Sequence, residues 1–189
     1  MAAATHALFV PECHADTALM ITLLRENAIS QESPYDFVSH GQGIGNVGRI
    51  MNDPDLGPAR RVVGMVDLDK KFFQQPHLSE FTNLLGGSMA RRGYSHALLR
   101  HPTKTSQFLI VLNHACDDWL WQRTSEAGLS LAAFDLPADF MAFKKYCKKR
   151  PAELGLRPLL ATIAVARPPA YGVLADFVAS ALDLARPLP

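Results

Sequence analysis

The sequence predicts an α/β fold, a mostly parallel sheet flanked by helices, with a helical C-terminal region. Three observations carry that expectation. His6-Ala7-Leu8-Phe9-Val10-Pro11-Glu12 is an apolar run of strand length that ends in a carboxylate. Arg61-Val62-Val63-Gly64-Met65-Val66-Asp67 repeats the layout with three valines. Each run precedes a helix-like segment, as parallel strands joined by helical crossovers require, so the two should be parallel neighbours. From Leu136 onward the apolar spacing is helical, broken at Pro151, Pro158 and Pro168-Pro169.

The remaining elements follow in order. Ala15 to Ala28 read as a helix with Ala18, Leu19, Ile21, Leu23 and Leu24 on a broad apolar face, and Asp16 in its first turn complements the helix dipole. Ser33-Pro34 marks a turn, and Tyr35 to His40 reads as a second, short strand. Gly41-Gln42-Gly43-Ile44-Gly45 is a loop opening a helix near Asn46 to Asn52, which Asp53 to Pro58 ends. Leu78 to Leu85 reads as a helix stopped by Gly86-Gly87. Ser106 to Leu112 is a buried strand, Cys116 to Ala127 a helix, and Tyr171 to Leu184 an amphipathic helix. The organisation is therefore an α/β core over residues 1–135 and a helical elaboration over 136–189 packed on the same domain.

Composition narrows the classes of function. The 189 residues include 19 Lys and Arg against 18 Asp and Glu, a net charge of +1, so no global field draws the chain to nucleic acid or membrane. Any anion site must be local. Three widely spaced cysteines do not make a disulfide framework. Together with an N-terminus lacking signal-peptide character and no apolar run of spanning length, they point to a cytoplasmic protein without a membrane partner.

The strand ends carry the chemistry. Side chains alternate along a strand, so Asp67 and Asp69 share a face where strand gives way to loop. With Glu12 they would converge at the carboxyl edge of the sheet, where open α/β sheets place ligands. Carboxylates brought together repel unless a cation lies between them, and Mg²⁺ or Mn²⁺ suits oxygen ligands completed by water. The bland alternative is a polar strand end with Asp69 solvated or capping a helix.

Glu12, Asp16 four residues later, a glycine loop, and Asp67-Leu68-Asp69 together resemble the Toprim domain of topoisomerases, bacterial primases, and the nucleases and small proteins of phage defence. Asn113-His114-Ala115-Cys116-Asp117-Asp118-Trp119-Leu120 is similar to a segment of small Toprim-like defence proteins, with Asp117 at the position of an acidic residue two before the tryptophan. Cys13 stands where the family has glycine, and Asp117 is one methylene shorter than the usual glutamate. The resemblance implies Mg²⁺-dependent phosphodiester chemistry on nucleic acid, nucleolytic in kind, with Glu12 as acid/base and Asp67, Asp69 and Asp117 as metal ligands. A non-catalytic module that binds metal, a nucleotide or a protein partner in a defence system is the second reading.

Other groups bear on that site. Lys70 would neutralise a phosphate. Gly43 and Gly45 would help to hold one, since bare amides at a helix N-terminus bind anions. Gly43-Ile44-Gly45-Asn46-Val47-Gly48 also satisfies the dinucleotide fingerprint, which gives a third reading as a nucleotide-cofactor enzyme, although the loop follows the second strand and opens a short helix. Lys144, Lys145 and Lys148 lie on one helix as candidate nucleic-acid contacts, with a solvated helix face as the alternative. Trp119 is expected in the core. Cys13-His14 and His114-x-Cys116 lack zinc-finger spacing, and no Gly-x-Ser-x-Gly elbow is present.

Overall fold

The computed structural model describes residues 7–26, 34–56, 60–69, 71–90 and 94–182. Lys70 lies outside them. The fold is α/β, built on an open, mixed five-stranded sheet. β1 (Leu8–Pro11), β2 (Val62–Asp67) and β5 (Gln107–Leu112) are parallel, with β2 between the other two. β4 (His96–Arg100) and β3 (Asn83–Gly87) extend the sheet antiparallel beyond β5. The runs ending at Glu12 and Asp67 are thus parallel neighbours, with Val10 opposite Gly64 and Pro11 opposite Met65.

Strand alternation divides the core into two layers. Phe9, Val63, Met65, Phe108, Ile110 and Leu112 face one side. There they bury α1 (His14–Glu26), α4 (Cys116–Glu126) and the C-terminal helices α5 (Phe140–Cys147), α6 (Ala152–Gly155), α7 (Arg157–Ala166) and α8 (Pro169–Leu182). Val10, Val62, Val66, Leu109 and Val111 face the other side, against α2 (Ile44–Met51) and α3 (Pro76–Ser79). Helix α1 is nearly all buried because it lies between the sheet and the C-terminal helices. The C-terminal elaboration therefore completes the main hydrophobic core. Trp119 is fully buried in that layer, as its neighbours suggested. All three cysteines are free thiols. No single helix among the described residues is long and apolar enough to cross a membrane.

Three sequence expectations are corrected. Tyr35 to His40 does not form a strand. Residues Pro34–Phe37 curl into a 3₁₀ turn, which the fixed φ of proline favours, and Val38 alone bridges Phe9 in parallel. Leu78 to Leu85 is not one helix, because α3 stops at Ser79 and Asn83–Gly87 pairs with β4 as an edge strand. Local apolar spacing is helical there, but the tertiary pairing overrides it. β4 itself was not anticipated, and its antiparallel pairing with β5 and β3 makes the sheet mixed.

Glycine makes the β3 edge possible. The register shifts between Leu84 and Gly86, and Gly87 has a φ of 70°. A Cβ on Gly87 would lie 2.1 Å from the His96 carbonyl oxygen, whereas one on Gly86 would make an ordinary 3.6 Å contact with Leu98. Gly87→Ala is therefore expected to destabilise the protein by ~2 kcal/mol, and Gly86→Ala by less than ~0.5 kcal/mol, in urea denaturation. Equal effects would contradict this account of the edge.

Candidate carboxylate site

The carboxyl edge of the three parallel strands gathers four acidic side chains from four elements. Glu12 follows β1, Asp16 lies in the first turn of α1, Asp67 ends β2, and Asp117 lies in the first turn of α4. Backbone donors tie the group together. The Asp67 N–H donates to Glu12 Oε2 at 3.2 Å, the Cys116 N–H donates to Asp67 Oδ1 at 2.8 Å, and the Cys13 N–H donates to Asp16 Oδ2 at 3.0 Å. Strand parity turns Asp67 toward the α1 layer, with Val63 and Met65. Two helix N-termini therefore point donors into the site, where they favour negative charge.

Asp16 is the most constrained of the four. It is 0 % exposed, and its Oδ1 has no hydrogen-bond partner of good geometry. The Cys116 and Cys13 thiols offer weak compensation. Burial, aggravated by the Asp117 charge, pushes the Asp16 carboxyl up to about 6. Burial and the Asp16 and Glu12 charges hold Asp67 well above the ordinary aspartate range. Burial, with Asp16 and Asp69 nearby, pushes Glu12 up to about 7, despite hydrogen bonds from the Asp67 and Ile44 N–H groups. Asp117 is also raised, again mainly by burial. Like charges withdrawn from water cannot all ionise, so they share protons.

The other sequence candidates fall in different places. Asp69 is exposed beyond the end of β2, and its Oδ1 caps a turn by accepting the Lys71 and Phe72 N–H groups at 2.7 and 3.2 Å. Its charge reaches Glu12, but that oxygen is already engaged. Gly43, at φ 114°, is the N-cap of α2, and its N–H donates to the Glu12 carbonyl oxygen at 3.0 Å. The Ile44 N–H, at the start of α2, lies near enough to the Glu12 carboxylate to favour its charge. Gly45 lies one residue farther along α2, where a Cβ would meet only Gln75.

Lys144 joins the site rather than the open surface. Its Nζ lies 3.4 Å from Asp117 Oδ1 and 3.2 Å from Asp118 Oδ2. Burial works against its charge, but the two carboxylates outweigh it and raise its pKa. Lys145, on the same helix, and Lys148, its C-cap, are exposed. The sequence places Asp16 in the acidic pattern and at a helix start without revealing its burial, and it leaves Lys144 as a candidate nucleic-acid contact or a solvated face.

The donor set is all carboxylate, the type that suits Mg²⁺ or Mn²⁺, and the unsatisfied Asp16 oxygen is a buried acceptor that a cation would complete. Among the described residues no three His, Cys, Asp or Glu side chains form a ready-made cage. Mg²⁺ does not need one, since it keeps several waters and takes one or two carboxylates. Comparison with protein-family models, curated proteins and solved structures finds no match to this chain.

Proton sharing fixes the pH dependence. Glu12 and Asp16 bind protons more tightly in the fold, at about 7 and 6, than at their ordinary values of 4.5 and 3.8. The stability this gives is complete below the ordinary values and is lost as pH rises through 6 and 7. Protein stripped of divalent ions is therefore expected to melt at a higher temperature at pH 5.5 than at pH 8. Asp16→Asn should flatten that dependence and stabilise the pH 8 protein by roughly 1–3 kcal/mol. A wild-type melting temperature that does not change between pH 5.5 and 8 would contradict this picture.

Proposed function

We propose that the carboxyl edge is a divalent-cation site supporting phosphodiester chemistry on nucleic acid, nucleolytic in kind and Toprim-like in arrangement. The observation that carries this reading is the fully buried Asp16 carboxylate, with an unsatisfied oxygen, among three other carboxylates whose acidity is suppressed. A protein gains nothing in stability from such a cluster, and a cation relieves it. The chain order of Glu12, Asp16 and Asp67 supports the Toprim resemblance.

Each residue has a task in this reading. Asp16 and Asp67 present hard oxygen donors to Mg²⁺ or Mn²⁺, with Asp117 beside them. When bound, the ion supplies charge neutralisation at a phosphate oxygen and makes a water more acidic. Glu12, with a proton affinity near neutrality, can take or release a proton close to pH 7. Backbone N–H groups of Asp67 and Ile44 hold its carboxylate in place. The exposed Lys145, and Lys148 at the C-cap of α5, follow Lys144 beside the site, where they can meet a phosphate backbone.

A second reading has its own observation. The Lys144 ammonium already supplies Asp117 and Asp118 with a cation, and Asp69 is engaged in a cap. That arrangement suits a non-catalytic module that binds metal, a nucleotide or a protein partner.

Melting and cleavage assays separate the two. Added Mg²⁺ or Mn²⁺ should raise the wild-type melting temperature at pH 8, and Asp67→Asn should abolish the rise. In Mn²⁺ the wild type should cleave single-stranded nucleic acid or nick plasmid, while Glu12→Gln, purified in parallel, should lose at least ~100-fold in rate. Stabilisation without cleavage of DNA or RNA favours the binding module. Equal metal stabilisation of Asp67→Asn would refute the site.

A further inference from the structure

Beside Asn113 and His114, just after β5, the sheet edge holds a cavity of about 460 Å³. Tyr94 and Ser95 before β4, the end of β5, one side of α4 and the start of α8 enclose it. Two buried polar residues line it. Arg123 is 4 % exposed and Asn113 is 3 % exposed. The Asn113 amide has a fixed orientation, because its Nδ2 donates to the carbonyl oxygens of Ala90 and Tyr94 at 3.1 and 2.9 Å. Its Oδ1 is consequently an acceptor, and it has no partner. Arg123 Nη2 donates to Glu126 at 2.6 Å and to Gln122 at 3.3 Å, while Nε and Nη1 have no partner. Directly behind the cavity wall there are therefore unmet donors and an unmet acceptor, out of solvent reach. Buried groups in that condition cost stability unless something satisfies them.

We propose that this cavity binds a nucleobase. A bare anion is a poor complement, because Glu126 already neutralises Arg123 and Asn113 Oδ1 would repel it. A planar base edge presents an acceptor beside an N–H donor, which matches the guanidinium and the amide oxygen together. Tyr94, 54 % exposed on the cavity wall, offers a ring on which a base can stack. The volume suits a nucleotide. The unmet atoms are withdrawn from solvent, and the exposed side chains of Tyr94, His114 and Gln122 are the ones that give way to admit a ligand, while Glu126 stays on Arg123. The choice of a nucleotide over other planar amides rests on the nucleic-acid reading of the neighbouring carboxylates.

The test is equilibrium binding by calorimetry on the full chain in EDTA, so that the carboxylate site carries no metal. The probes are the four nucleoside 5′-monophosphates, ribose 5-phosphate and a short single-stranded oligonucleotide. At least one monophosphate or the oligonucleotide should bind saturably, and ribose 5-phosphate should not. Tyr94→Ala, a surface change, should weaken binding at least ~5-fold, as the loss of one stacked base does. Arg123→Met keeps the packing on Trp119 and should abolish binding; if it fails to fold, Tyr94→Ala decides. Binding by the oligonucleotide alone, lost in Tyr94→Ala, assigns the base to a strand. The proposal is overturned if ribose 5-phosphate binds as well as the nucleotides, if nothing binds at millimolar concentration, or if the variants that fold bind as wild type. Because no metal takes part, failure of the metal chemistry and failure of this site give different results.

Discussion

The Asp16 carboxylate is the constraint on which the site depends. It is fully buried in the first turn of the most buried helix, one oxygen held by the Cys13 N–H and the other unsatisfied. A chain selected for stability alone would place an apolar residue there. The surrounding arrangement limits the cost. The Cys13 and Cys116 N–H groups, at the starts of α1 and α4, are spent on Asp16 and Asp67. Proton sharing among Glu12, Asp16 and Asp67 spreads the remaining charge. The C-terminal helices bury the apolar side of α1, and Asp16 in its first turn is fully withdrawn from water.

Lys144 shows the same dependence from the other direction. It comes from α5, yet its ammonium lies against Asp117 and Asp118 at the start of α4. An internal cation on one flank of the cluster leaves Asp16 and Asp67 on the other flank uncompensated. The asymmetry explains why acidity is most disturbed between β1 and β2. In the proposed reading, those two aspartates are the ones that would hold an added ion.

Much of the parallel half of the fold was legible because its signals are local. The valine run of β2 and the carboxylates closing β1 and β2 follow from strand composition and period, and the parallel pairing confirms them. The antiparallel half was not legible. Leu84, Leu85, Gly86 and Gly87 read as a helix end, and only pairing with His96–Arg100 makes them a strand. Asp69 looked equivalent to Asp67 by alternation, but the strand ends at Asp67 and its loop turns Asp69 into a cap. Asp16 was visible in the motif, whereas its burial comes from tertiary packing. The unmet groups of Asn113 and Arg123 depend in the same way on tertiary contacts that no local pattern encodes.

The most direct measurement is anomalous diffraction from crystals of the full chain soaked in Mn²⁺ at pH 8. The account predicts an ion within about 2.2 Å of an Asp16 or Asp67 oxygen, with waters completing its shell. Full occupancy elsewhere, on the exposed Asp69 or another surface carboxylate, with no ion at Asp16 or Asp67, would contradict it.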